Sequence, residues 1–163
     1  MGSRDFRAEV ASQQEVSPGQ FVLSLRPLSA PPEPRPGQFY MLGIGDERDP
    51  LLKRPFCMFG YEGGLIRILY AVRGRGTRLL STLKPGSVIP VLGPLGNGYP
   101  APRRGSDALI IAGGTAIASV YPLIMQLKKT CRVVYGARSL AELLMVDDIT
   151  SAAAEVHTCT EDG

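Results

Sequence analysis

The chain has 163 residues, 44% of them hydrophobic and 20% charged, enough for a packed core in one ordinary domain or two small ones. Net charge is +3, with the basic excess in residues 1–100; a nucleic-acid face needs wider basic clustering interleaved with aromatics, so an anionic small ligand fits better. No apolar run approaches a membrane span and Met1-Gly2-Ser3-Arg4-Asp5 lacks a signal-peptide core, so a cytoplasmic protein is expected.

Three cysteines, Cys57, Cys131 and Cys159, stand far apart and odd in number, which argues against a disulfide framework and against Cys-x-x-Cys metal binding. A single histidine, His157, argues against histidine metal sites and Ser-His-Asp chemistry and reads as structural or exposed. The 19 glycines and 14 prolines favour short strands and many turns over long helices.

In chain order, Phe6 to Val16 and Gln20 to Leu25 form a plausible hairpin around Ser17-Pro18-Gly19. The proline-rich Ser29 to Gly37 is a loop, and Gln38 to Leu42 is a third strand. A polar loop, Asp46 to Pro50, precedes the strand carrying Arg54. Gly63-Gly64 turns into Leu65 to Val72, where alternation is clear between Leu65 and Leu69. A short helix is expected over Arg78 to Leu83 after Gly76-Thr77, and Ser87 to Leu92 is a sixth strand. Six short strands at this spacing predict a closed antiparallel barrel with one inserted helix, over residues 1–100.

The pattern changes at Pro100 to Gly105, which reads as a linker. Ala108 to Ala112 is a continuous apolar run, expected to be a strand buried on both faces. A helix carrying Val120, Leu123, Ile124 and Leu127 follows, with Pro122 tolerated if the helix begins near Ser119. Cys131 to Tyr135 is a second buried strand, Ser139 to Leu144 a second helix and Ala154 to Thr160 a third strand. This alternation predicts a partial parallel-sheet α/β unit over residues 101–163, about two and a half βα units, with apolar side chains exposed at the incomplete sheet.

Two stretches carry the chemistry. Arg54-Pro55-Phe56-Cys57 puts a cation, an apolar ring and a small polar side chain on one strand, although by itself it reads first as a surface arginine beside a core phenylalanine. Gly74-Arg75-Gly76-Thr77 opens a helix with backbone N–H groups, and Arg67, Arg73, Arg75 and Arg78 supply nearby cations, as a phosphate requires. Together they suit a flat aromatic ring held by one segment and its phosphates by the other. Ala112-Gly113-Gly114-Thr115-Ala116 lies between a buried strand and a helix, where glycines admit a pyrophosphate, or simply form a tight turn. Cys57 has no evident base partner, and Asp147-Asp148 reads as a solvated helix end.

These residues, in order, carry a resemblance. Pro36-Gly37-Gln38-Phe39, Leu52 to Cys57, Gly74 to Ser81 and Val91 to Pro100 resemble the ferredoxin-reductase superfamily, in particular the electron-transfer subunits of type B dihydroorotate dehydrogenases. Gly113-Gly114, Tyr121-Pro122-Leu123, Gly136-Ala137-Arg138-Ser139 and Thr160 to Gly163 continue it. The resemblance implies an FAD-binding barrel followed by an NAD-binding domain. It implies that Arg54 contacts FAD phosphates while Pro55, Phe56 and Cys57 line the flavin, that Leu69, Tyr70 and Ala71 form a further wall, and that Gly76 and Thr77 hold the pyrophosphate. Gly113, Gly114, Gly136, Ala137 and Arg138 would approach the nicotinamide nucleotide, and no catalytic side chain is implied.

Departures accompany it: Cys57 stands where serine is usual, Ala71 where arginine is common, Ser119 where proline is usual, and Ala116 where a glycine is usual, its methyl expected to crowd a pyrophosphate. The four cysteine ligands of the [2Fe-2S] cluster that the resemblance implies are not in this sequence, which reads as a fragment or a shortened homologue. The expected function is an FAD-binding oxidoreductase subunit, moving electrons between NAD(P)H and a partner flavoprotein such as dihydroorotate dehydrogenase, in pyrimidine biosynthesis. The alternatives are a reductase subunit of a sulfide dehydrogenase or hydrogenase-type complex, and a flavin-binding module with an inactive nucleotide site.

Overall fold

A computed structural model describes residues 4–45, 52–100, 102 and 107–163. The expected polar loop Asp46 to Pro50 and most of the Pro100 to Gly105 linker lie outside the described residues. Seven antiparallel strands come first: β1 (Asp5–Ser17), β2 (Gln20–Pro27), β3 (Phe39–Leu42), β4 (Arg54–Cys57), β5 (Gly60–Glu62), β6 (Leu65–Ala71) and β7 (Val88–Leu95). Helix α1 (Arg75–Ser81) joins β6 to β7. The strands are ordered β4-β3-β7-β1-β2-β6-β5.

The two ends of that order are one continuous piece of chain. β4 pairs with β3 and β5 with β6, and the change of partner falls between two residues: Met58 N–H donates to the Gln38 carbonyl (3.0 Å), Phe59 N–H to the Arg67 carbonyl (2.8 Å). The sheet therefore closes on itself, and the single strand expected around Arg54 becomes two short ones with a switch between. Inside sit Val10, Leu25, Tyr40, Leu42, Ile66, Ile68 and Leu80, all fully enclosed.

α1 begins at Arg75, three residues before the expected start at Arg78. The Thr77 hydroxyl accepts the N–H groups of Arg73 (2.9 Å) and Gly74 (3.1 Å), so the helix is capped one turn earlier than the pattern of its apolar residues suggests.

The second half has three parallel strands, β8 (Ala108–Gly113), β9 (Cys131–Ala137) and β10 (Glu155–Thr160), ordered β10-β9-β8, with α2 (Ile117–Leu127) and α3 (Val146–Ala152) between them. Successive crossovers step in the same direction, which puts both helices on one face. Ile117, Ala118, Ile124 and Ile149 pack there on Ile110, Ala112, Val133 and Tyr135. β8 is consequently buried on one face rather than both: Leu109 and Ile111 are 63% and 72% exposed on the other.

Two helix boundaries differ from expectation. α2 starts at Ile117, after a 3₁₀ turn over Gly114–Ala116, so Pro122 lies inside it and deprives the Ala118 carbonyl of its usual donor. Ser139 to Leu144 holds only a 3₁₀ turn, Leu140–Glu142, and the helix comes at Val146. The cause is a side chain: the Tyr135 hydroxyl accepts the Leu144 N–H (3.1 Å), and Met145 then turns left-handed (φ 57°).

The halves share a core. Val22 and Leu69, cross-strand partners on the outer barrel face, join the helix-side residues of the parallel sheet, and the Phe59 ring lies 4.7 Å from that of Tyr121. Leu25→Ala, in the barrel interior, is expected to cost about 2–5 kcal/mol, whereas Ile111→Ser, on the open sheet face, should stay within about 0.5 kcal/mol; urea unfolding followed by circular dichroism measures both.

Candidate functional site

Gly76 is buried because Arg54 lies across it. A Cβ at Gly76 would stand 2.3 Å from Arg54 Nε and 2.7 Å from its Cδ, so only glycine lets the guanidinium stem rest on the first turn of α1. By helix geometry the N–H groups of Gly76 and Thr77 have no acceptor within the helix. A cation from β4 and amide donors from α1 thus meet at one place although they are far apart in sequence. Arg73, Arg75 and Arg78 are exposed around it.

The remaining expected flavin residues divide by strand alternation. On β4, Pro55 and Cys57 are exposed on one face while Phe56 turns inward, its ring 5.8 Å from that of Tyr70 in an edge arrangement. Desolvation pushes the Cys57 thiol up, so it stays protonated at neutral pH. On β6, Tyr70 points into the barrel, stacked on Phe21 at 5.7 Å, and Leu69 points into the second core. What Leu69, Tyr70 and Ala71 can offer a ligand outside the barrel is therefore mainly backbone, with Ala71 half-buried.

A cleft of 510 Å³ opens at the carboxyl ends of β8, β9 and β10, where open α/β sheets bind ligands. Gly113 and Gly114 line it after β8, Gly136, Ala137 and Arg138 after β9, and Thr160 and Glu161 after β10. Arg73, from the connection between β6 and α1, lines the same cleft. One arginine thus borders both the glycine turn of the barrel and the glycine loop of the parallel sheet.

Gly114 adopts φ +51°, a left-handed conformation that disfavours any residue with a Cβ, and nothing lies within 4 Å of where that Cβ would be. Ala116 is exposed and is not among the residues lining the cleft. Arg138 does not reach freely into it: its Nε donates to Glu142 Oε2 (3.2 Å) and its Nη2 to Glu142 Oε1. That hydrogen bond, with the attraction of opposite charges, holds the Glu142 carboxyl below the usual range. Binding of an anion here would compete with Glu142 for the guanidinium.

Two positioning side chains escaped the sequence reading. Tyr135, fully buried, has its hydroxyl within 3.3 Å of the Gly114 carbonyl and 3.4 Å of the Glu142 carbonyl while accepting from Leu144 N–H. It ties the glycine loop to the segment carrying Glu142. Gln38 accepts the Arg35 N–H (2.8 Å) and donates to the Gly96 carbonyl (2.6 Å), joining two stretches that carry the resemblance. The only sequence signal for either is a polar group inside an apolar strand. Cys57, Cys131 and Cys159 are unpaired, and His157 is exposed beside Glu155 at 2.9 Å. Among the described residues, no cluster of three or more His, Cys, Asp or Glu is placed to hold a metal ion.

Removing the Tyr135 hydroxyl leaves the buried Leu144 N–H without its acceptor. Tyr135→Phe is expected to lower stability by about 1–3 kcal/mol and to speed amide exchange at Gly114 and Leu144 before the rest of the sheet, as read by hydrogen–deuterium exchange.

No family model matches the chain. Among curated proteins it is 36% identical over 164 residues to the dihydroorotate dehydrogenase B (NAD(+)) electron transfer subunit of Bacillus caldolyticus, covering 96% of this chain and 63% of that one. It is 36% identical over 169 residues to the same subunit of Desulforamulus reducens, covering 99% and 63%. The chain therefore spans about 63% of the length of these relatives. Among solved structures, an NADH-dependent reduced ferredoxin-NADP oxidoreductase is 27% identical, with a TM-score of 0.79 over 96% of this chain and 57% of that one. Phthalate dioxygenase reductase, 18% identical, shares the fold with a TM-score of 0.82 over 98% and 52%. The closed barrel followed by a glycine cleft on a parallel sheet is thus the fold of these reductases, and in sequence the chain is similar to about 63% of the length of electron-transfer subunits of dihydroorotate dehydrogenase B.

Proposed function

We propose that this chain holds FAD on the barrel, over residues 1–100, and receives a nicotinamide nucleotide at residues 101–163, as part of an oxidoreductase subunit that serves a partner flavoprotein. The observation that carries this reading is the convergence of Arg54 on Gly76, with Arg73 leading from that turn to the glycine cleft. The cradle suits a pyrophosphate: the Arg54 side chain, whose Nη1 donates to the Leu52 carbonyl (2.5 Å), lies against the first turn of α1, and a single added Cβ at Gly76 would displace the cation. Arg54, Gly76 and Thr77 are assigned to the phosphates, and Pro55, Cys57 and the β6 backbone at Leu69 to Ala71 to the flavin ring. Phe56 supports that wall from inside. Gly113, Gly114, Gly136 and Arg138 are assigned to the nucleotide.

FAD, when bound, supplies the chemistry of accepting a hydride and passing electrons on. The protein's own part is orientation. Arg54 and the α1 amides would anchor the phosphates, exposed Pro55 and Cys57 would border the ring, and Arg138 would exchange Glu142 for an anionic ligand. No side chain in the arrangement needs to move a proton. By analogy with the curated relatives, the partner is a dihydroorotate dehydrogenase catalytic subunit in a hetero-oligomer of the cytoplasm; no helix among the described residues is long and apolar enough to cross a membrane.

The test is a visible absorption spectrum of the purified chain, taken before and after anaerobic NADH. Flavin bands that bleach support both halves of the reading, and bands that persist under NADH defeat the nucleotide assignment. Absence of flavin, even after FAD is added, defeats the flavin assignment. Gly76→Ala, which displaces Arg54 without disturbing the barrel interior, is expected to weaken FAD by about tenfold or more, with the far-ultraviolet circular dichroism unchanged; flavin fluorescence titration measures the change.

A further inference from the structure

The side chains of β1 do not keep one alternation. Phe6, Ala8 and Val10 are buried in the barrel, and Val10 pairs with Leu25. Ser12 then pairs with Ser24, so two residues of β1 advance against one of β2, with Ala11 the extra residue of a β-bulge. The bulge reverses the faces beyond it. Ser12 and Gln14 point outward, and Gln13, which an unbroken strand would turn to the outside, points to the end of the barrel where α1 lies.

There the Gln13 amide does two things. Its Nε2 lies 3.2 Å from the Leu80 carbonyl, 3.0 Å from that of Ser81 and 3.1 Å from that of Leu83, donating its two hydrogens among the last carbonyls of α1 and the residues that follow. Its Oε1 accepts the Tyr70 hydroxyl at 3.0 Å. The Leu80 carbonyl also accepts the Leu83 N–H at 3.2 Å, and Gln13 adds donors at a helix end whose last carbonyls lie beyond the regular ladder. Because Oε1 is held by Tyr70, whose ring is fixed between Phe21 and Phe56, the amide cannot follow the helix if the helix shifts.

We propose that Gln13 is a positioning residue for the phosphate cradle: it fixes α1 against β6, and thereby sets where Gly76 and Thr77 stand relative to the backbone of Leu69 to Ala71. The inference rests on the flavin reading above. α1 has seven residues, too short to hold its position by its own ladder. Its start is capped locally by Thr77, Leu80 seats it on the barrel core, and Gln13 adds the polar tie from its end to a distant strand. Apolar packing leaves a short helix free to slide, and the amide fixes the separation between the ring wall and the phosphate turn of one extended ligand. A ligand with both a ring and a pyrophosphate depends on that separation, and a ligand with the ring alone does not.

This difference provides the test. In titrations of the full chain followed by flavin fluorescence, Gln13→Ala is expected to raise the Kd for FAD by about tenfold and to leave that for riboflavin unchanged. Gln13→Glu keeps the size and the acceptor for Tyr70 but removes the donors, and should act in the same direction, which covers the case in which the alanine variant does not fold. Hydrogen exchange of the ligand-free protein should show faster exchange over Gly76 to Leu83, with β1 to β6 unchanged. Equal weakening of FAD and riboflavin, or FAD binding untouched in both variants, overturns the positioning role while leaving the flavin site standing. Failure of the unaltered chain to bind FAD overturns the flavin reading itself, and this inference with it.

Discussion

One stretch of chain, Arg54 to Glu62, decides how the molecule is assembled. It pairs first with β3 and then with β6, and that change of partner closes the barrel. The switch at Met58 and Phe59 also separates the destinations of its side chains. Before it, Arg54 reaches over Gly76; after it, Phe59 leaves the barrel interior for the second core and meets Tyr121. A closed sheet leaves no free edge at this point, so the same hydrogen bonds that finish the barrel fix the cation at one end and the anchor of the second half beside it.

The second half follows from that anchor. Val22, Phe59 and Leu69 give the parallel sheet an apolar floor, with Arg67 lying over the Phe59 ring at 5.3 Å. The Ser17 hydroxyl donates to the Ala141 carbonyl at 2.9 Å, and the Tyr99 and Ser119 hydroxyls meet at 3.2 Å, so contacts run along several sides of the junction. Because the halves share a core rather than a linker alone, Arg73 can border the glycine cleft at a defined place. Two clusters of glycine backbone and arginine, each ambiguous by itself, are brought together through Arg73, which is the arrangement on which the proposed sites rest.

Polar side chains inside this framework set its finer geometry. Tyr135 holds the Gly114 loop against the Glu142 segment, Gln38 joins the loops around Arg35 and Gly96, and Gln13 joins α1 to Tyr70. Each replaces a backbone partner that the local chain lacks, which is the physical reason for a polar group at a position where an apolar one would pack as well. The ion pair of Arg138 and Glu142 differs from these, its arginine side chain being 61% exposed.

Strand positions, the hairpins, the barrel followed by a parallel sheet, and the glycine turns at Gly76 and Gly113-Gly114 were legible from the sequence, because alternation, turn chemistry and apolar runs are written within a few residues of one another. The one-sided burial of β8, the early start of α1 and the late start of α3 were not. The first depends on which neighbour covers a face, and the helix starts depend on the Thr77 and Tyr135 hydroxyls capturing backbone N–H groups. Gln13 shows the difference most directly: its residue type is plain in the sequence, but the bulge at Ala11 that aims it, and the carbonyls of α1 that receive it, belong to pairings between distant parts of the chain. Local periodicity determines what an element is; only the long-range pairing of backbones decides which way its side chains face and what they hold.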